Sequence, residues 1–321
     1  MVILKRRKKK KEGGKTQEGA KAPAVSHSIF NRESEKQEKG SKGRNYNHLL
    51  VISLVLVVFS VGFLINGYLQ KGDWFIKSIE LRGGTVISVS LDKPVAAAEL
   101  EKKLSEKFGQ VLVQETRGFS RYGVSIEVDS SINSTAVINE LNANGISTEK
   151  SSVETIDPAI GASFWYQAQI AVILAFAFMA VTVFVIFRTF VPSTAVILAA
   201  GCDIIETIAF MQIFGIQLSL ASLAALLMLI GYSVDTDIIL TTRVLRMTEK
   251  HVDERINSAM KTGLTTAGTT IGALAVLYIS SVSAVLSQIA SVLLIGLVLD
   301  LVNTWIQNAA IIKWYAVRKG I

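Results

Sequence analysis

The stretch GYSVDTDIILTTRVLR, residues 231–246, follows an uninterrupted apolar run, LSLASLAALLMLI, at 218–230. The run is typical of a membrane core, yet Asp235 and Asp237 follow it before the chain becomes apolar again and reaches Arg243. A charged side chain inside a bilayer costs on the order of a few kcal/mol or more. Two acids in such a helix therefore predict a polar site inside the membrane, with Arg243 marking the inner surface.

Five further segments are long and apolar enough to cross a bilayer, which takes about 20 residues. The first span begins too far from the N-terminus, and runs too long, to be a cleaved signal peptide. Because 50% of the 321 residues are hydrophobic, the sequence predicts a polytopic α-helical membrane protein. The six predicted spans are 48–69, 164–187, 194–214, 218–241, 264–285 and 288–312.

Basic residues are concentrated in the N-terminal tail, where residues 1–47 hold fourteen Lys and Arg against five Glu. The tail has almost no apolar periodicity, so we expect it to be disordered. A nucleic-acid partner would suit its charge. Attraction to anionic lipid headgroups or ribosomes suits it better, because a membrane span follows directly, and no nucleic-acid partner is predicted.

The short loops differ in charge from one side of the predicted bundle to the other. Lys and Arg occur in the loops 188–193 and 242–263 and near the C-terminus, whereas the opposite loops near 214–217 and 281–287 carry no charge. Basic loops stay on the cytoplasmic side of a membrane. We therefore predict a multi-pass plasma-membrane protein with both termini cytoplasmic and residues 70–163 extracytoplasmic.

The polar stretch 70–163 shows alternating and helical patterns in turn. Its order, β-α-β-β-α-β, predicts a ferredoxin-like α+β domain. The stretch contains no His, no Cys and no nucleophile constellation, so a binding or structural module is a better interpretation than an enzyme. The predicted strands and helices are 85–91, 94–108, 110–116, 122–128, 131–145 and 146–156.

The chain is thus predicted to have five parts. These are a disordered basic cytoplasmic tail (1–47), span 1 (48–69), an extracytoplasmic ferredoxin-like domain (70–163), a five-helix transmembrane bundle (164–314) and a cytoplasmic C-terminus (315–321). The single cysteine, Cys202, excludes an internal disulfide and a metal cage of cysteines, and we expect it to be a small packing residue. No metal or other cofactor is predicted.

Other predicted spans also carry polar residues. Asp203 and Glu206 lie three residues apart and so share one helix face, and Asp300 begins a stripe with Asn303, Thr304 and Gln307. Intramembrane acids are by default proton or ion sites, or members of a buried polar network. Asp237 has a further alternative, an interfacial pair with Arg243. The threonines of the fifth span, 262–270, fit bonding to their own backbone.

Five motifs follow one another along the chain: LRGGT (81–85), IDPAIGASF (156–164), GYSVDTDIILTTRVLR (231–246), KTGLTTAGTT (261–270) and DLVNTWIQNA (300–309). Taken together, they resemble those of the SecF family, the membrane partners of SecD in protein export, in a form associated with its archaeal branch. The resemblance covers residues 48–314 nearly end to end. The matched motif residues are Gly83, Gly84, Gly231, Tyr232, Ser233 and Arg243.

The resemblance implies a function and a set of partners. It implies a SecF-like subunit, of the resistance-nodulation-division superfamily, which joins a SecD-like membrane protein and the Sec translocon channel to assist exported polypeptide clients. Membrane lipids surround it. In bacterial members, proton flow is thought to drive motion of the outer domain. The intramembrane acids and the resemblance together give six candidate proton or ion relay residues: Asp235, Asp237, Asp203, Glu206, Asp300 and Lys261.

Within that set the resemblance points first to Asp235, then to Asp237, and least to Lys261. The bacterial acid falls one residue after position 235, where this chain has Thr236, and Lys261 stands where the bacterial fifth span begins with Arg. Two alternatives stay open. One is a half-size exporter of small molecules or lipids from the same superfamily, and the other is a purely structural membrane subunit.

Overall fold

The computed structural model describes residues 46–91, 95–109, 111–117, 122–149, 151–247, 251–280 and 283–320. All of them belong to one compact unit, Asn45–Ile321. The predicted disordered tail, apart from its last two residues, lies outside the described residues.

Within the described residues, six helices are long and apolar enough to cross a membrane, which confirms a polytopic helical membrane protein. The sixth is interrupted by one π-helical segment, Asn303–Asn308, with an α-helix on either side of it. The spanning helices are α1 (Tyr46–Lys71), α5 (Pro158–Phe187), α6 (Phe190–Ile213), α7 (Leu220–Arg246), α8 (Val252–Ser280), α9 (Ala284–Val302) and α10 (Ala309–Lys319).

Two of these helices begin well before the predicted spans. Helix α5 begins at Pro158, a residue suited to the first helical turn, and the Asp157 side chain caps it by accepting from Ala159 N at 2.7 Å. Helix α8 begins at Val252, well before the predicted span at 264. Its first turns are polar, so hydropathy does not assign them to the span. Hydropathy therefore located the apolar part of each helix rather than its ends.

Helices α6 and α7 form the centre of the bundle, and half of their most apolar windows is buried. Small residues let neighbouring helices approach them closely. Gly296 of α9 faces the side chain of Leu229, and Gly263 of α8 faces the ring of Trp305 in the π segment. A Cβ atom at either glycine would collide with that side chain, so these contacts fix the positions of α8 and α9 against α7 and the π segment.

The stretch between α1 and α5 folds as a sheet with two longer helices on one face. The four strands lie in the order β2-β3-β1-β4 with every neighbouring pair antiparallel. Leu100, Leu104, Val137 and Leu141 of the two helices pack on Ile126 and its neighbours. The elements are α2 (Ile79–Arg82), β1 (Gly84–Leu91), α3 (Ala97–Phe108), β2 (Leu112–Arg117), β3 (Tyr122–Val128), α4 (Ser134–Ala143) and β4 (Ser151–Ile156).

A tight backbone contact joins this sheet domain to the membrane helices. Gly83 has a φ of 81°, and a Cβ atom there would lie 2.5 Å from Pro158 Cα. A Cβ atom on Gly161 would lie 2.6 Å from Gly83 N. Only glycine fits at both positions. The LRGGT and IDPAIGASF motifs therefore pack directly on each other, where α2 meets the first turn of α5.

Candidate functional site

Four carboxyl groups from three spanning helices meet in the interior of the bundle. Asp203 and Glu206 come from α6, Asp237 from α7 and Asp300 from α9, and each side chain is at most 1% exposed. We call these four residues the acidic cluster. Asp203 and Asp237 both lie close enough to Asp300 to interact with it electrostatically. The positions of the acids within the predicted spans allow them to face one another, but which of them meet depends on how three helices pack.

One amide joins the two acids of α6. Asn303 Nδ2 donates to Asp203 Oδ1 and to Glu206 Oε2, both at 2.8 Å. The second oxygen of Asp203 accepts from Ser233 Oγ of α7 at 2.5 Å. Asp203 therefore accepts hydrogen bonds from donors on two other helices. The three-residue spacing of Asp203 and Glu206 places both on one face of α6, as predicted.

Asp237 is held by two donors from the π segment. Its Oδ1 atom accepts from Thr304 Oγ1 at 2.8 Å and from Asn308 Nδ2 at 2.7 Å. Thr304 Oγ1 also lies 3.1 Å from Asp300 Oδ1. Thr304 thus bridges the acids of α7 and α9, and any change in the charge of one acid alters the bond available to the other.

The π segment supplies most of the donors. A π-helix closes i→i+5 bonds and often occurs at functional sites. Here Asn303, Thr304 and Asn308 are fully buried and all face the acidic cluster. The stripe at 300, 303, 304 and 307 was recognised in the sequence, but Asn308 was missed, and nothing in the spacing distinguishes a π segment from an α-helix.

The first span is tied to the same network. Ser53 Oγ of α1 lies 2.8 Å from Asn303 Oδ1 and 2.6 Å from Gln307 Oε1. Gln307 Nε2 in turn points to Cys202 Sγ at 3.7 Å, so Cys202 is a half-buried neighbour of the network. Ser53 was also missed, because one serine in an apolar span carries no signal of its partner.

The acidic cluster has no basic counterpart among the described residues, where every ion pair lies outside it. Three of its oxygens also lack a partner there: Glu206 Oε1, Asp237 Oδ2 and Asp300 Oδ2. Ionising several buried carboxyl groups together without a cation is strongly unfavourable. Buried carboxyl groups arranged in this way are suited to gaining and losing protons. The described residues contain no group of side chains that could hold a metal ion.

Two of the residues singled out in the sequence lie elsewhere. Asp235 is exposed on α7, and Lys261 is exposed on α8. Two residues along an α-helix rotate by about 200°, so Asp235 and Asp237 must face opposite sides. Gly231 and Tyr232 are exposed on the same helix, whereas Ser233 is buried and bonded to Asp203.

The alternative that pairs Asp237 with Arg243 is wrong. Arg243 Nη1 donates instead to the backbone oxygen of Ser258 at 2.7 Å and to its hydroxyl at 3.0 Å. Asp237 is buried and bonded to the π segment, and it lies nearly two helical turns away from Arg243.

The prediction that the threonines of the fifth span bond to their own backbone is confirmed, since each hydroxyl in the set bonds to a carbonyl of its own helix. The set is Thr262, Thr265, Thr266, Thr269 and Thr270.

The fold and the site together define a multi-pass membrane protein with a small α/β domain after its first span and a buried acidic cluster. The family model described as "Protein export membrane protein SecD/SecF, C-terminal" matches residues 136–318. The chain belongs to this SecD/SecF family of protein-export membrane proteins.

Curated relatives with the name "Protein-export membrane protein SecF" extend the match over most of the chain. The protein of Methanothermobacter thermautotrophicus is 43% identical over 280 residues, which cover 83% of this chain and 89% of the relative. That of Pyrococcus furiosus is 40% identical over 272 residues, covering 84% and 91%. That of Haloferax volcanii is 33% identical over 275 residues, covering 84% and 93%.

The fold is similar to that of a solved membrane protein. The crystal structure of SecDF, a translocon-associated membrane protein from Thermus thermophilus, matches with a TM-score of 0.68 at 22% identity. The match covers 85% of this chain and 38% of the SecDF chain, so this chain spans well under half of that protein. A structure of SecDF in a super-membrane-facing form matches with a TM-score of 0.55 at 21% identity.

Proposed function

We propose that the chain is the SecF subunit of a SecD–SecF complex that assists the export of polypeptides through the Sec translocon. The observation that carries this proposal is the 43% identity to a SecF protein over 89% of that protein's length. The six spans and the domain between the first two support it. The proposed role is transport without catalysis.

The acidic cluster is the proposed site of proton exchange. Four carboxyl groups that have no cation beside them among the described residues cannot all be ionised in a membrane interior, and their bonds depend on which of them is charged. Thr304 bridges Asp237 and Asp300, and Asn303 bridges Asp203 and Glu206. Proton uptake at one acid would therefore change the contacts among α6, α7, α9 and the π segment, and so couple ion movement to helix movement.

The exposed polar side chains on α7 and α8 are the proposed contact with a SecD-like partner. Asp235, Lys261 and Thr265 are exposed beside the place where Thr236 packs against Gly263. Leaving such groups against lipid tails is costly, so a polar partner surface suits them better. This assignment keeps Asp235 in the proton pathway, as a group shared between two chains rather than one inside this bundle.

The basic end of the bundle is the proposed cytoplasmic side. Arg243 bonds to Ser258, Arg255 Nη1 donates to Val244 O at 2.8 Å, and Lys313 pairs with Asp253. These cations share the end of the bundle opposite the sheet domain, as the positive-inside rule requires. Both termini would then be cytoplasmic. Residues 70–163 would be extracytoplasmic and could meet an exported polypeptide there.

The extracytoplasmic part is proposed to be a ferredoxin-like domain. Its β-α-β-β-α-β order and its strand order β2-β3-β1-β4 support this topology. The proposed parts keep the boundaries read from the sequence, with 70–163 as the domain and 164–314 as the five-helix bundle. A binding or structural module in that position suits an export accessory.

Secretion in living cells tests the proposed function. A signal-peptide reporter would be followed by pulse-chase in wild type, a null strain, Asp237→Asn and Asp235→Asn, with protein abundance checked. Glu106→Gln, which removes an exposed carboxyl outside the membrane, is the matched control. We expect the null and both Asp variants to slow export at normal abundance, and the control to export normally.

The other outcomes separate the alternatives. Normal export in the null strain would refute the SecF role and favour the half-size exporter. Slow export in the null strain together with normal export in both Asn variants would favour the alternative that the chain is a purely structural subunit. The proposed partner surface is tested by asking whether a SecD-like chain is recovered with the purified protein. We expect Thr265→Trp to lose this chain. Val181→Trp, on the exposed face of α5, should keep it.

A further inference from the structure

A second titratable group is buried far from the acidic cluster, between the sheet domain and the membrane helices. Glu127, near the end of β3, is 6% exposed. It lies on the face of the sheet opposite α3 and α4, since its neighbours Ile126 and Val128 face those helices. Its Oε2 atom accepts from Gln217 Nε2 at 3.2 Å, and Gln217 belongs to the connection between α6 and α7.

The same connection is also bonded to the segment that follows α1. Leu218 exchanges backbone hydrogen bonds with the segment after α1, donating to Ile76 O at 2.8 Å and accepting from Ser78 N at 2.9 Å. Glu80 Oε2 accepts from Leu220 N, the first residue of α7, at 2.7 Å. We call residues 76–80, Glu127 and 217–220, together with Gln288 of α9, whose Nε2 donates to Gln217 O, the outer joint.

The outer joint holds two of the helices that carry the acidic cluster. Helix α7 starts at Leu220, and Asp237 lies about 25 Å further along it at 1.5 Å per residue. Gln288 of α9 donates from Nε2 to Gln217 O at 3.0 Å, and Asp300 lies about 18 Å along that helix. Movement of the 217–220 segment therefore acts on the outer ends of both helices.

We propose that Glu127 is a positioning residue that sets how firmly the sheet domain holds 217–220, and that this hold tightens as the outer medium becomes more acidic. The proposal deepens the proposed function, because it gives the outer compartment a way to act on the helices of the acidic cluster. No residue of that cluster takes part in it directly.

The charges around Glu127 decide the direction of the effect. Burial raises the pKa of Glu127 above its usual value of 4.5, although the Gln217 hydrogen bond and the Arg82 charge oppose this. Arg82 of α2 lies 3.4 Å from Glu127 and is itself partly exposed and near Asp129. Glu80, on the same short helix, adds a repelling charge.

The sign follows from linkage. When the joint opens, Glu127 is exposed to water and regains its usual pKa, so the closed joint binds a proton more tightly than the open one. Closure is therefore most favourable below pH 4.5 and weakens as the pH rises through the raised pKa. Each unit by which the pKa is raised corresponds to a change of at most about tenfold in the closing equilibrium.

Hydrogen exchange of the purified full chain tests this without a partner or an export assay. Protection of segments 76–82 and 214–220, which contain the Ser78 and Leu218 amides, would be measured from pH about 8 down to about 4.5 and corrected for intrinsic rates. Segment 134–143 in α4 serves as an internal reference for the fold of the domain.

Three variants give distinct expectations. Wild type should gain protection severalfold on acidification, up to the tenfold limit per unit of pKa. Glu127→Gln, which keeps the size and an acceptor for Gln217, should be highly protected at every pH. Glu127→Ala should be weakly protected throughout. Glu154→Gln on β4, an exposed carboxyl of the same sheet, should follow wild type.

A Glu127→Gln protein that keeps the wild-type pH response would overturn the proposal, as would a wild type with no response. If Glu127→Ala loses protection in 134–143 as well, the domain itself has unfolded. The comparison of Glu127→Gln with wild type then tests the proposal without the Ala variant. The result stands apart from the export role. Slow export in the null strain with no pH response at the joint would overturn only the joint. Normal export in the null strain with a pH response at the joint would overturn only the export function.

Discussion

Replacing Asp237 with alanine should destabilise the bundle more than replacing it with asparagine. Asp237 Oδ1 accepts from Thr304 at 2.8 Å and from Asn308 at 2.7 Å. Thr304 keeps a second acceptor, Asp300 Oδ1 at 3.1 Å, whereas Asn308 Nδ2 has no other partner among the described residues. Alanine therefore leaves one fully buried donor unpaired.

The magnitude follows from that single donor. An unpaired buried donor costs about 1–3 kcal/mol, and measured couplings between membrane helices reach about 1.7 kcal/mol. We expect Asp237→Ala to lower the free energy of unfolding by about 1–2 kcal/mol, which changes the unfolding equilibrium about 5- to 30-fold. Asp237→Asn keeps the acceptor oxygen and the side-chain size, and should lose about half of that or less.

The assay is reversible unfolding of the purified chain in mixed micelles, titrated with a denaturing detergent and followed by tryptophan fluorescence, with Trp305 in the π segment as a nearby probe. Asn308→Ala and the double variant with Asp237→Ala complete a cycle. The double variant should be no less stable than the worse single variant. Equal losses for the Ala and Asn variants at 237, or additive losses in the cycle, would refute this account of the site.

Three further changes test other contacts, the first two by thermal unfolding and the third by proteolysis. Gly161→Ala should lose about 1–3 kcal/mol because its Cβ would lie 2.6 Å from Gly83 N, whereas Gly268→Ala, with open space around it, should not lose stability. Asn133→Ala removes the cap that accepts from Thr135 N and should cost about 1 kcal/mol, and an unchanged melting temperature would rule out a capping role. Ser53→Ala should weaken the docking of α1 by about 1 kcal/mol, and more rapid proteolysis of that helix would be its sign.

Hydropathy predicted the membrane part well, because spanning a bilayer imposes a length and a composition that local sequence reveals directly. All six spans are found in the structure. The strand YGVSIEV at 122–128 has the predicted bounds. The helix predicted to stop at Gly145 ends at Ala143, and Gly145 has a φ of 80°.

The acidic cluster was predictable as a set of acids but not as an arrangement. Helical spacing shows that Asp203 and Glu206 share a face, and that Asp235 and Asp237 cannot. It does not show which of the two aspartates of α7 faces inward, because that depends on packing between distant helices. The favoured residue, Asp235, lies on the exposed face, and the less favoured Asp237 is the one buried with Asp300.

The entry and exit of the sheet domain lie side by side, since Gly84 at the start of β1 pairs with Ile156 at the end of β4. Insertions succeed where the two ends of a module meet at one point of the host. The whole domain is therefore inserted between the first two spans with its two ends at one place on the membrane bundle. Such a module could be exchanged for one of another size without changing the spacing of the helices beneath it, so related chains could vary the size of this domain while keeping one bundle.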